Sequence, residues 1–313
     1  MPKRDLISIE DLTRSDVELL LDTAESFLPV LERDIKKVPT LRGRTIINLF
    51  WEASPRTSAS FDLAAKRLSA DTLVFRGTAL GDQQMESLKD VAITLSAYSP
   101  DIVVMRHPAA GACRTLAANT EASVINAGDG GHQDPTQCLL DLFTLRQNFR
   151  RELDGLKVFI IGDILHSRVA RSGIMGFKMM GMDVTLVAPP TLMPRGIEEM
   201  GVTVEYDLAN LGDADVVYLL RLQPELAEPG SSYVPSLREY ARLWGITPEK
   251  LRPGQRVMHP GPINRGVEIA SDVADDDENL IASQISSGLA VRMAILYRTS
   301  IGYSDTAANR EAL

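Results

Sequence analysis

Cysteine is almost missing from this chain. Its 313 residues include two, Cys113 and Cys138, at a spacing that fits neither a metal site nor a redox pair. Reduced, packed thiols in a cytoplasm are the state to expect. No apolar run is long enough to span a bilayer, and Met1-Pro2-Lys3-Arg4-Asp5 leads into no signal-peptide core. The expectation is a cytoplasmic protein with no membrane partner. No basic tract offsets the net charge of −9, which argues against nucleic acid as a partner too. A local basic pocket inside an acidic shell still suits a small anionic substrate. Also missing are a G-x-G-x-x-G after the first strand, a Walker loop, an H-E-x-x-H and a G-x-S-x-G elbow. There is no repeat of fixed period. The acidic run Asp272-Val273-Ala274-Asp275-Asp276-Asp277-Glu278 reads as a solvated loop without a second ligand cluster, so neither metal nor cofactor is expected.

What is present is a rhythm. Hydrophobic residues at 44% and charged residues at 24% are ordinary for a soluble globular protein, and the length allows two domains. Ser15-Asp16-Val17-Glu18 reads as a capping box. Val17, Leu20, Leu21, Ala24, Leu28 and Leu31 follow at helical spacing, and Pro29 should kink or end that helix. Strands are predicted at 44–50, 72–75, 101–105 and 123–126, with helices at 55–69, 86–97, 109–119 and 135–149. After the polar break Arg150-Arg151-Glu152-Leu153-Asp154-Gly155 the alternation restarts. Strands are then expected at 157–161, 183–187, 202–205 and 215–219, and helices at 167–181 and 195–200. A loop-rich stretch covers 221–255, and a final helix covers about 280–302. The fold class is α/β: two doubly wound parallel-sheet domains with a cleft between them and a C-terminal helix returning to the first. The expected domains are 1–150 with the helix at about 285–313, and 151–284.

Polar groups collect just beyond strand C-termini, where such folds bind ligands. After the first strand comes Phe50-Trp51-Glu52-Ala53-Ser54-Pro55-Arg56-Thr57-Ser58. Ser54 suits an N-cap and Pro55 a first helical position. Free N–H groups, two hydroxyls and a guanidinium at a helix start make a phosphate cradle. The same residues also fit a capped surface helix with a solvated arginine. Arg106, Arg168 and Arg221 lie at three further strand ends, and four such arginines point to substrates carrying several negative charges.

The ordered motifs go further. They are Ser54-x-Arg56-Thr57, Glu86-Ser87-Leu88-Lys89-Asp90, Met105-Arg106-His107-Pro108, Asn126-Ala127-Gly128-Asp129-Gly130, Pro135-Thr136-Gln137, Gly162-Asp163 through Arg168, Arg221-x-Gln223 and His259-Pro260-Gly261-Pro262. On them the chain resembles the aspartate/ornithine transcarbamylase family over nearly all its length. Arg168 and Arg221-x-Gln223 favour the branch of aspartate carbamoyltransferase catalytic chains. The resemblance implies carbamoyl transfer from carbamoyl phosphate to L-aspartate in de novo pyrimidine synthesis. It implies a homotrimer with active sites shared between neighbours, and room for a larger assembly with another enzyme or a regulatory chain. Ser54, Arg56, Thr57 and Arg106 would hold the phosphate, with Arg56, Thr57 and Arg106 catalytic. Gln137 would bind the carbamoyl amide; Arg168, Arg221 and Gln223 would bind aspartate; Gly261 and Pro262 would form a substrate loop.

Several positions depart from the family pattern. Gln84 and Met85 stand where it has lysine and glycine, and Leu80 replaces a serine on the same loop. Asp134 stands where a histidine donates to the carbamoyl oxygen. Pro55 removes an N–H, and Ser58 replaces an arginine. Loss of one oxyanion donor costs on the order of 10²–10³ in rate. Asp134 and Pro55 also suit helix starts. His132 and Arg76 are candidates to replace the lost donor and the lost charge. Two other readings therefore stand beside carbamoyl transfer to aspartate: an impaired member with a structural or regulatory role, and a transcarbamylase with another acceptor.

Overall fold

The structure, a computed structural model, describes residues 4–76, 86–150, 152–223 and 232–301. The chain forms two compact units, 1–143 with 286–313, and 144–285. Each is a parallel sheet with helical connections.

In the first unit the strands are β1 (Thr45–Phe50), β2 (Asp71–Arg76), β3 (Ile102–His107) and β4 (Ser123–Asp129), in the order β2-β1-β3-β4. Apart from β2, which is half open to solvent, they are apolar runs buried almost throughout. Parallel strands become so when helices cover both faces. The helices are α1 (Arg14–Glu32), α2 (Pro55–Arg67), α3 (Leu88–Ser96), α4 (Ala112–Ala117) and α5 (Pro135–Asn148). Leu49, Val103, Met105 and Val124 form one core layer with Val91, Leu95, Cys113 and Leu116 of α3 and α4. The chain reverses direction across the sheet between β1 and β3, which makes a topological switch point there.

The second unit has β5 (Lys157–Ile161), β6 (Asp183–Val187), β7 (Thr203–Glu205), β8 (Val216–Leu219) and β9 (Arg256–Met258), in the order β7-β6-β5-β8-β9. Its switch point lies between β5 and β8. Its helices are α6 (Arg168–Met179), α7 (Leu237–Leu243) and α8 (Ser271–Ala274).

The last helix, α9 (Ile281–Ile301), begins in the second unit and continues into the first, as the sequence led us to expect. There Arg298 Nε donates to Thr23 Oγ1 at 2.7 Å, and Tyr297 meets Phe27 edge-on at 6.0 Å.

Four local expectations need correction. The first helix is capped by Thr13 with Asp16 in a reciprocal box, not by Ser15 with Glu18. Asp16 accepts both the backbone N–H and the hydroxyl of Thr13, so its carboxylate closes the box two residues earlier. The buried stripe of α1 then runs through Phe27 and Val30 instead of Leu28 and Leu31, and Pro29 does not end the helix. Residues 197–200 wind as a 3-10 turn rather than an α-helix. The stretch read as loop contains α7, capped by Ser236 onto the Glu239 N–H; Leu237, Tyr240, Ala241 and Trp244 stand at helical spacing, but the helix is only seven residues long and buries only Tyr240.

Candidate active site

At the C-terminal edge of the first sheet, β1 hands over to α2 through Trp51, Glu52 and Ala53. Ser54 is the N-cap and Pro55 the first helical residue. The Ser54 hydroxyl makes no cap bond and donates instead to Thr57 Oγ1 at 2.9 Å. First-turn N–H groups have no intrahelical partner, so those of Arg56 and Thr57 remain available to an anion. Arg56 is exposed beside them.

Register brings the other groups alongside. Phe50 pairs with Arg76 on one side and Arg106 on the other, and the Trp51 N–H donates to the Arg106 carbonyl at 2.9 Å. Arg106 is held by Glu52 at 3.0 Å and the Ala127 carbonyl at 3.2 Å, and it lies 3.7 Å from Asp134. Two carboxylates thus flank this guanidinium. Next to it, His107 packs edge-on against Trp51 at 4.8 Å, and its Nδ1 accepts the Ala109 N–H at 2.9 Å. Burial pushes the His107 pKa below its ordinary value.

The link from β4 to α5 is built on Asp129. This buried carboxylate accepts from the Gly111 N–H at 2.7 Å and from Asn126 Nδ2 at 2.8 Å, and it pairs with His132 Nδ1 at 3.1 Å. His132 is therefore oriented through one ring nitrogen, with a third of its side chain exposed. Gly130 has φ +49°, and a Cβ there would meet the Ala110 nitrogen at 2.6 Å, so the turns after β3 and β4 touch only because a glycine lies between them.

Asp134 begins α5. Its Oδ1 accepts the Gln137 N–H and the Thr136 hydroxyl, both at 3.1 Å, which is an N-cap. The aspartate at this position does cap a helix, and it also stands beside Arg106. The Gln137 amide turns forward along the helix, its Nε2 donating to Asp141 Oδ1 at 2.9 Å. Near both aspartates lies Arg292 of α9. Burial pulls its pKa down to about 10, against the favourable charges of Asp134 and Asp141. Its Nη1 donates to Ser60 Oγ of α2 at 3.0 Å and its guanidinium sits 5.3 Å over Phe61. One buried arginine so ties the helix bearing Arg56 and Thr57 to the helix bearing Gln137.

In the second unit Arg168 is the first residue of α6, with Ser167 capping onto the Ala170 N–H. Arg221 and Gln223 follow β8. Asp163, after β5, accepts the backbone N–H and ring nitrogen of His166 at 3.2 and 2.8 Å, and burial raises its pKa. It also accepts a backbone bond from Gln223, which draws the ends of β5 and β8 together. After β9, the His259 ring is buried between the Gly261 N–H at 2.8 Å and Glu268 at 3.2 Å, and the Gly261–Pro262 peptide is cis.

The predicted residues thus fall into two sets, each at the C-terminal ends of its own sheet's strands or the helices that follow them. Ser54, Arg56, Thr57, Arg76, Arg106, His132 and Gln137 form the first; Arg168, Arg221, Gln223, Gly261 and Pro262 form the second. Leu80, Gln84 and Met85 lie outside the described residues. Sequence reasoning passed over Glu52, Asp141 and Arg292 as site residues. Arg292 carried a signal: a charge inside the apolar run Leu289-Ala290-Val291-Arg292-Met293-Ala294 has to find partners in the core.

The carbamoyl-phosphate-binding domain of aspartate/ornithine carbamoyltransferases matches residues 4–147, and the Asp/Orn-binding domain of the same enzymes matches residues 154–299. The chain belongs to the aspartate/ornithine carbamoyltransferase family. Within it, the aspartate carbamoyltransferase catalytic subunit of Geobacter sulfurreducens is 52% identical over 304 residues, covering 96% of this chain and 97% of its own length. That of Citrifermentans bemidjiense is 54% identical over 304 residues, with the same two coverages of 96% and 97%. Among solved structures, aspartate transcarbamoylase from Trypanosoma cruzi with carbamoyl aspartate and phosphate superposes at a TM-score of 0.84 and 29% identity, covering 94% of this chain and 95% of that one. The catalytic subunit from M. jannaschii gives 0.82 at 31% identity, covering 94% and 97%. Family membership agrees with a fold in which both sheets present arginines at a switch point.

Proposed function

We propose that this chain transfers the carbamoyl group of carbamoyl phosphate to the amine of L-aspartate, giving N-carbamoyl-L-aspartate and phosphate for pyrimidine synthesis. The observation that carries the reading is an anion cradle and an amide at the C-terminal side of the first sheet, and two arginines with a glutamine beside the second sheet's switch point, in a family member aligned end to end with aspartate carbamoyltransferase catalytic subunits.

Residues 1–150 with the helix from about 285 form the carbamoyl-phosphate-binding domain, and residues 151–284 form the aspartate-binding domain. Ser54, the Arg56 and Thr57 N–H groups and both guanidinium groups of Arg56 and Arg106 hold the phosphate. Thr57 and Arg106 polarise the carbonyl, and Gln137 binds the carbamoyl amide. Arg168, Arg221 and Gln223 grip the two carboxylates of aspartate, since planar guanidinium groups suit both carboxylate and phosphate. Gly261 and Pro262 close the substrate loop. The amine nitrogen attacks the carbonyl carbon, the C–O bond breaks, phosphate leaves with the electron pair, and the nitrogen loses a proton. The residues need no covalent intermediate, because orientation and preset positive charge supply the rate. His132, oriented by Asp129, and Arg76, beside the cradle in register, supply a donor and a charge in place of those the family pattern has lost.

The protein works in the cytoplasm as a homotrimer and can join a larger assembly with a regulatory chain. Edge strand β2 supports the trimer: Leu73 and Val74 are exposed on it, and Leu63 of α2 and Ile93 of α3 are exposed too. Unpaired edges with apolar side chains are ordinarily covered. The test is to incubate the purified full chain with carbamoyl phosphate and L-aspartate, with L-ornithine as the control acceptor. Carbamoyl aspartate and phosphate should form together; no product from aspartate overturns the reading.

A further inference from the structure

We infer that Asp141 is a positioning residue that sets the specificity of the transferred group, by fixing which end of the Gln137 amide meets the ligand. The inference rests on the carbamoyl-transfer reading above.

A glutamine amide can present either an acceptor or donors, and the two ends are interchangeable by a half-turn of the last torsion. Which end faces a ligand must be decided by something behind it. Here Gln137 is half-buried in the first turn of α5, and its Nε2 donates to Asp141 Oδ1 at 2.9 Å. A carboxylate only accepts, so the amide nitrogen belongs on the Asp141 side and the oxygen is left for the ligand. Asp141 is itself 1% exposed, and the Arg292 charge nearby favours its ionised, accept-only form. An inward-facing carbonyl oxygen selects a group that carries N–H. A carbamoyl group offers its NH2; an acetyl group offers a methyl of nearly the same size and no donor. Sites built around a polar partner reject the analogue that lacks it, because the site's own group is left unpaired. Arg292 adds the second half of the device. By bonding Ser60 and lying beside Asp134 and Asp141, it fixes the amide relative to the phosphate cradle on α2.

The test compares carbamoyl phosphate with acetyl phosphate as donors to L-aspartate, as kcat/KM, in wild type, Asp141→Asn, Gln137→Met and the double variant. An asparagine at 141 can donate or accept, so Gln137 is free to flip. Discrimination between the donors should fall about tenfold, the worth of one hydrogen bond, almost all of it in carbamoyl phosphate. The double variant should discriminate no less than Gln137→Met alone, since Asp141 acts through Gln137. Equal losses with both donors would reveal a merely structural role and overturn the inference, as would unchanged discrimination.

Gln137→Glu tests the same pair without touching the buried aspartate. Two carboxyl groups at that separation share a proton, so the KM for carbamoyl phosphate in this variant should change with pH well above the ordinary glutamate range. A profile that is flat there overturns the pairing. Wild-type protein that makes no product overturns the proposed function and this inference together. Product formation with unchanged discrimination in Asp141→Asn overturns this inference alone.

Discussion

Replacing Asp134 by asparagine should separate two jobs that one side chain now does. Its Oδ1 caps α5 at 3.1 Å from the Gln137 N–H, while its Oδ2 stands 3.7 Å from Arg106 Nη1. Asparagine caps about as well as aspartate, so the cap should hold; alanine should be less stable than asparagine by about 1 kcal/mol, or about 2–4 °C in Tm for a unit of this size. The charge is a separate matter. A full charge 3.7 Å from a guanidinium attracts it by about 4 kcal/mol at an effective dielectric of about 20. Phosphate must compete with that attraction and also approach the carboxylate itself. Recovering only a third of this attraction tightens carbamoyl phosphate binding about tenfold. Arg292 keeps Asp141 as a counter-charge, so the variant does not leave a buried cation alone. Calorimetric titration of carbamoyl phosphate into wild type, Asp134→Asn and Asp134→Ala, with thermal unfolding of all three, reads both jobs. Tighter binding in both variants, with the alanine one melting below the asparagine one, is the expected pattern. Unchanged affinity in Asp134→Asn refutes the placement of Asp134 beside the phosphate.

Other perturbations follow from the same geometry. Arg106→Ala removes the proposed phosphate donor and leaves Glu52 and Asp134 without their shared guanidinium, so the rate of product formation should fall at least 100-fold, on the order of one lost oxyanion donor, in a steady-state assay. His107 has a folded pKa below its ordinary 6.5, so the unfolded chain binds more protons between those values. Stability should rise with pH through that window, level off above about 6.5 and be lost as pH falls; urea unfolding of His107→Gln should show a shallower slope there, and an unaltered slope contradicts the assignment. On β2, Val74→Lys puts a charge on the exposed apolar edge, which in the proposed trimer should shift sedimentation to smaller species and lower the Tm in a concentration-dependent way.

Much of this was legible in sequence because apolar runs and turn residues alternate without ambiguity. The strands from Thr45 to Asp129 and from Lys157 to Leu219 emerged within a few residues, and every arginine at a strand end is where parallel topology puts it. What escaped was of two kinds. Cap identity depends on which hydroxyl reaches which N–H, and Thr13 competed with Ser15 two residues away for the same role. Long-range pairing is invisible to local pattern: nothing near Arg292 in sequence names Ser60, and nothing near Arg106 names Asp134. Glu52 stands in the stretch after the first strand and Asp141 in no motif, and only the folded chain shows that each holds another residue of the site.

The return of α9 bears on how the molecule is made on the ribosome. Residues 286–301 supply Tyr297 against Phe27, Arg298 against Thr23 and Arg292 against Ser60, yet they are translated only after the whole of 144–285. The first unit emerges first and is finished last. Until then its α1 and α2 faces, Phe27 and Phe61 included, wait uncovered while the second unit folds. The nascent chain therefore needs shelter over that interval, and its sensitivity to chaperone supply should exceed what the stability of the finished protein implies.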